Sequence, residues 1–208
     1  MTIEQLQQIY PDATLATWHQ HENGGGWVEN TASVEPSARV YGDARVYGDA
    51  RVYGNALVSG NAQVSGNARV YGNALVYGDT RVYGDALVSG DALVSGDTRV
   101  YGDALVSGNA QVSGNAQVYG NALVSGDTRV YGDALVSGDA RVSATPICIT
   151  GVAEWGSATI SEWADGHKRI TIGCRMFIGA EALEYWKDKP DRVKTLALVE
   201  MLIGAQML

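Results

Sequence analysis

A valine stands at every sixth position from Val28 to Val142 without interruption, twenty in all. From Ala38 onward the residue two places before each valine is Ala or Thr, and Arg, Leu or Gln stands between them. Tyr or Ser follows the valine, then Gly, then Asp or Asn, and seventeen complete hexads of this form lie between Val40 and Arg141. In an extended segment alternate side chains face opposite sides. In residues 44–47, Ala44 and Val46 therefore share one face and Arg45 and Tyr47 the other. β-Branched valine beside small Ala or Thr suits a narrow interior. The Gly-Asp and Gly-Asn pairs turn the chain. Four extended residues and two turn residues exclude an α-helix, and antiparallel hairpins of that length bury nothing. A chain that turns every six residues closes a triangle in eighteen and stacks on itself. Each coil then pairs its backbone with the next, and the inward valines and alanines line up as ladders.

An aliphatic residue followed four places later by a small one, as in Val40 and Ala44, Val76 and Thr80, and Val124 and Thr128, resembles the hexapeptide-repeat family. The resemblance covers about residues 28–142 and implies a left-handed parallel β-helix with three hexads per coil. Nineteen hexads from Val28 make 6.33 coils, a shaft on the order of 30 Å long at ~4.8 Å per stacked strand. The fold class expected is mainly β: a left-handed parallel β-helix of hexapeptide repeats with a short N-terminal cap and a small C-terminal α+β domain. The expected boundaries are 1–27 for the cap, 28–145 for the β-helix and 146–208 for the C-terminal domain.

The outward positions are correlated. Arg before the valine goes with Tyr after it, as at 39–41 and 81–83, and Leu usually goes with Ser, as at 57–59 and 87–89. Surface packing between neighbouring coils explains this better than an Arg/Tyr binding stripe. Residues 61–90 and 109–138 are one sequence but for Arg69 against Gln117 and Tyr77 against Ser125. Their offset of 48 is eight hexads but not a whole number of coils, so the copy falls on other faces, which a binding stripe would not tolerate. Leu57, Leu75 and Leu93 do share a face, as do Leu87, Leu105 and Leu123. Exposed leucine ladders suggest contact between subunits, and the family resemblance implies a homotrimer.

Composition and charge narrow the picture. The 26 glycines are mostly one per hexad, and two cysteines exclude a disulfide scaffold. A net charge of −8 argues against general nucleic-acid or anionic-membrane binding. Five acids and no Lys or Arg lie in residues 1–35, while residues 36–143 balance ten Asp against eight Arg. No apolar run reaches the length of a bilayer span, and the acidic start lacks a secretory signal. A cytoplasmic location in a bacterial host, or a virion, is expected.

Family acyltransferases use a coil histidine as general base, with acetyl-CoA or acyl carrier protein, and family carbonic anhydrases hold zinc through coil histidines. Residues 28–142 contain no His, Cys or Lys, so no catalytic residue, cofactor or metal ligand set is assigned. His19 and His21 read as exposed strand histidines rather than as a metal site. Inward Thr80, Thr98 and Thr128 exclude an ice-binding array. In the cap, Thr2 and Gln5 have capping-box spacing, Ile3, Leu6 and Ile9 form an apolar helical face, and Gly24–Gly26 read as a flexible lead into the first coil.

After Pro146 the period ends. Residues 147–155, 158–163 and 167–177 read as strands, with a turn at 164–166, and helices are expected at 180–187 and from Pro190 to the end. Cys148 and Cys174 read as buried thiols. On a continuous strand over 167–177, Arg169, Thr171 and Arg175 share one face, with His167 at the turn and Trp163 opposite, a partly cationic surface for a small anion. The tail resembles phage- and prophage-encoded hexapeptide-repeat proteins. The expected function is a non-catalytic trimeric shaft presenting a C-terminal interaction domain, as a virion part or host-interaction factor. Its partners are its own copies and a protein or small anionic ligand. The alternatives are an acyltransferase-like enzyme with a site at subunit boundaries and a protein that sequesters a nucleotide signal.

Overall fold

The computed structural model describes residues 1–142 and four later strands, Cys148–Ala153, Gly156–Trp163, Lys168–Ile172 and Arg175–Ile178. From residue 28 the hexads wind into a parallel β-solenoid. Strands eighteen residues apart pair in parallel, so that Leu75 stands opposite Leu57 in one coil and Leu93 in the next. Three sheets result. The first face runs from Trp27–Glu29 through Arg45–Val46 to Leu135–Val136, and the second from Ser33–Val34 through Arg51–Val52 to Ala140–Val142. The third runs from Arg39–Val40 to Arg129–Val130 and has six strands.

Most strands of the coils are two residues long rather than four, and the turns fall on the Gly and the Asp or Asn of each hexad. The ladder bonds nevertheless extend past the strands. Leu75 N–H donates to Ala92 O at 2.8 Å and Tyr77 N–H to Val94 O at 3.0 Å. Every repeat glycine turns with φ between 64 and 81°. The inward valines and alanines from Ala38 to Val142 form one continuous core and are at most 3% exposed. Thr80 and Thr98 are equally buried and donate their hydroxyls to Tyr77 O at 2.7 Å and Ser95 O at 2.5 Å.

The cap begins with a helix, Ile3–Gln7, whose Thr2 and Gln5 form the expected capping box. That helix is too short to carry Ile9, which is 51% exposed. Tyr10 instead packs with Leu6, Ala13, Trp18 and Trp27. Trp18–Gln20 then pairs antiparallel with Trp27–Glu29, laying the cap on the first face. The three glycines are no flexible lead. Gly26 N–H donates to Val40 O at 2.8 Å, and a Cβ on Gly24 would stand 2.4 Å from that same oxygen. Close backbone approach accounts for both residues.

At the other end Ala140–Val142 pairs antiparallel with Gly156–Trp163, setting Ala140 opposite Trp163. The strand Gly156–Trp163 also pairs with Cys148–Ala153 and with Lys168–Ile172. The single strand expected over 167–177 is two, Lys168–Ile172 and Arg175–Ile178, paired antiparallel with Ile172 opposite Arg175. Glycine weakens strand interiors, and Gly173 stands between them in the sequence. The helices expected at 180–187 and from Pro190 lie outside the described residues, as do the Cys148 and Cys174 side chains. No helix among the described residues is long and apolar enough to cross a membrane.

Candidate functional site

Several outward side chains of the solenoid meet a tyrosine or an amide-carboxylate partner eighteen residues away. On the first face Tyr83, Tyr101 and Tyr119 stack with ring centroids 4.9 Å apart, and on the second Tyr53 stacks on Tyr71 at the same distance. Tyrosine thus stacks on tyrosine rather than on arginine. Burial holds the Tyr101 phenol above its ordinary pKa, the Tyr83 and Tyr119 phenols add to this, and Arg99 opposes it. Ring faces inside such a stack are occupied, so the inner rings present only their edges.

The edges of the prism follow the same rule. Asn61 donates to Asp79 at 2.8 Å, Asn67 to Asp85 at 3.0 Å and Asn73 to Asp91 at 2.8 Å. The pattern recurs 48 residues on with Asn109, Asn115 and Asn121, at 2.7–2.9 Å from Asp127, Asp133 and Asp139. A neutral donor between carboxylates relieves the repulsion that a column of Asp would suffer. A polar groove of about 390 Å³ on the first face is lined by Asp79, Arg81, Asp97, Arg99, Asn115 and Gln117. It holds carboxylates and guanidinium groups in alternation, with no Ser, Thr, Cys, His or Lys among its lining residues.

The cap contributes another cleft, about 380 Å³, lined among others by Tyr10, Asp12, Trp18, Glu29 and Tyr47. Tyr10, Trp18 and Tyr47 pack against one another with centroids 5.1–6.1 Å apart. Burial pushes the Tyr10 phenol well above its ordinary pKa, Tyr47 and Glu29 add to this, and Arg45 acts against it. Arg45 is 7% exposed and its Nε has no hydrogen-bond partner. Glu29 accepts from Gly48 N–H at 2.7 Å, which ties the first coil to the next beneath the cap.

Both cap histidines serve structure. His19 Nδ1–H donates to Asn30 Oδ1 at 2.8 Å, while buried His21 donates from Nε2 to Ala38 O at 3.0 Å. The expectation that both are exposed strand histidines fails for His21. Its backbone follows the strand Trp18–Gln20 and turns into the glycines, with Gly25 N–H donating to His21 O at 2.9 Å. Among the described residues no three His, Cys, Asp or Glu side chains form a metal-binding group.

Of the expected anion-binding residues, Trp163 stands on the strand beside Ala140–Val142, while Arg169 and Thr171 stand on Lys168–Ile172, opposite Ser161 and Thr159. Arg175 begins the next strand, in register with Ile172 rather than with Arg169 or Thr171. His167 lies outside the described residues. The aromatic cap cluster and the paired Asn–Asp columns escaped sequence reasoning. The eighteen-residue spacing signals the columns, and nothing local signals the cluster.

Stretches of the sequence match the YdcK beta-solenoid repeat, at 38–52, 50–66, 62–78, 68–84, 80–96, 98–114, 116–132 and 129–144. Among solved structures, a perosamine N-acetyltransferase mutant from Caulobacter crescentus, in complex with CoA and GDP-perosamine, is similar at 17% identity and a TM-score of 0.42. That match covers 55% of this chain and 52% of the other. The acetyltransferase domain of PglB from Neisseria gonorrhoeae, in complex with acetyl coenzyme A, is similar at 14% identity and a TM-score of 0.32. It covers 68% of this chain and 63% of the other, so the chain spans about half to two thirds of these structures. No curated protein matches the chain. The matched repeats take in half of the residues, and the chain belongs to the YdcK beta-solenoid repeat family.

Proposed function

We propose that the chain is a non-catalytic shaft, a homotrimer of left-handed coils, that presents its C-terminal α+β domain for binding. One observation carries this reading: outward groups are paired with one another coil to coil, as in the Tyr83–Tyr101–Tyr119 stack and the six Asn-to-Asp bonds. Catalysis needs unlike groups converging on one point, a nucleophile or base beside a stabiliser of charge. Ladders give a stiff and nearly neutral surface instead. The setting that goes with this reading is a bacterial cytoplasm or a virion, and phage-encoded genes beside this one would favour the second.

Isothermal titration with acetyl-CoA tests it, with no heat of binding expected. Saturable micromolar binding would overturn the shaft reading in favour of an acyltransferase-like site between subunits. A small anionic ligand at the C-terminal domain has its own test. Nucleotides are screened by thermal shift on the wild type and on Arg169→Ala and Arg175→Ala. A shift lost in both variants supports a sequestering role, and no shift with any nucleotide removes it.

A further inference from the structure

We propose that the third face of the solenoid is the surface through which copies of this chain pack side by side. The inference rests on the self-association in the reading above and gives it a location.

The first support is where aromatic and aliphatic surface is left uncovered. Tyrosines of the first and second faces are stacked on one another or, at Tyr47, packed under the cap. On the third face Ser59 separates Tyr41 from Tyr77, so neither ring has a neighbour of its kind, and they are 41% and 40% exposed. Leu75 lies beside them at 37%, in register with Leu57 and Leu93. These are bulky projections with small notches at Ser59 and Ser95, a relief suited to interdigitation.

Charge gives the second. Between Arg39 and Arg129 the outward strand positions of the third face carry no charged residue, whereas the first face has Arg45, Arg81 and Arg99 and the second has Arg51 and Arg69. The edge that leads into the third face carries Asp91 and Asp127, and both accept from an Asn one coil away. Carboxylates adjacent in successive coils, Asp79 with Asp97 and Asp85 with Asp103, stand on the two edges that bound the first face. The third face borders one of them. Burying such pairs is costly without partners, so packing through the first face, bounded by both, is disfavoured more than packing through the third, which borders one.

Area selects the occupant. Five coils at ~4.8 Å, about 20 Å across, present roughly 480 Å² per copy. Contact along nearly the whole length is needed to approach the ~1,000 Å² of a specific interface. The occupant is therefore straight, uncharged and as long as the shaft. A second shaft meets those terms, and a short peptide does not.

Sedimentation of the full chain tests the proposal with Leu75→Asp on the third face and Gln63→Asp on the first. The expected result is at least tenfold weaker association for Leu75→Asp and wild-type assembly for Gln63→Asp. Wild-type assembly of Leu75→Asp overturns the choice of face. A monomeric wild type instead removes self-association itself, and this inference with it. Thiol labelling gives a readout free of destabilising charge. In a Cys148→Ser, Cys174→Ser background, Ser59→Cys should label at least tenfold more slowly than Ser65→Cys on the first face. Equal rates in the assembled protein overturn the proposal.

Discussion

Gly114 shows how tightly a single residue can be specified by stacking alone. Its φ is +77°, and a Cβ there would stand 2.8 Å from Gly132 N and 2.9 Å from Gly132 O. At Gly42 the φ is +67° but the nearest atom, Gly60 O, is an ordinary 3.4 Å away. Gly42→Ala should therefore meet only the left-handed conformation, a loss of about 1–2 kcal/mol. Gly114→Ala should lose a further ~1–3 kcal/mol from overpacking against backbone that cannot yield. Denaturant midpoints of the two variants check the order, and equal losses would refute the steric part. The inward threonines make a second residue-scale contrast. Thr80 donates to Tyr77 O, whereas buried Thr128 Oγ1 has no partner. Removing a satisfied hydroxyl forfeits a net ~1 kcal/mol, while removing an orphaned one relieves a desolvation cost of about 1–3 kcal/mol. Thermal unfolding should show Thr80→Val melting below wild type and Thr128→Val above it. Reversal of either sign would contradict the assigned hydrogen bonds.

At the scale of elements the cap is the part most open to titration. Tyr10 is packed on Trp18 and Tyr47, and burial, then Tyr47 and Glu29, raise its phenol pKa in the folded chain. An unfolded tyrosine ionises near pH ~10. Just above that pH the unfolded chain has released a proton that the folded cap still holds. The Tyr10 contribution is thus fully present below pH about 10 and falls as pH rises toward the folded value. Denaturant midpoints measured from pH ~9 to ~11 should drop less in Tyr10→Phe than in wild type, and parallel curves would sink the idea. The coils and the cap differ in how much the sequence disclosed. A valine every sixth residue leaves one face for the core, and the spacing of Leu57, Leu75 and Leu93 announces their register. The cap has no period. Ile9 looks like its third apolar anchor, yet the helix stops at Gln7 and Tyr10 takes that role through contacts with residues 8 and 37 positions away. Gly24 is a similar case, since its constraint is Val40 O, sixteen residues on, and no neighbour hints at it. The anion-binding grouping depended on one unbroken strand, and the separate strand starting at Arg175 changes which residues stand opposite it.

For the whole molecule, the distinction between a hexad and a coil decides what a change in length does. Deleting residues 61–66 removes one hexad and rotates everything after it by one face. Valine still follows valine inside, so the core ladder survives, but Leu75 and Leu93 leave the face of Leu57. Deleting residues 61–78 removes one full coil, keeps every later residue on its own face and sets Leu93 next to Leu57. Repeat arrays gain stability from each neighbour interface, so the longer deletion should melt lower than the shorter one. Association should run the other way if the third face is where copies meet. The chain lacking one hexad is expected to keep its β-sheet circular dichroism yet sediment as a monomer, and the chain lacking a coil should still assemble, more weakly than wild type. Loss of assembly in both, with folding retained, would show that shaft length rather than face composition governs association. Assembly in both would place the contact outside the solenoid faces.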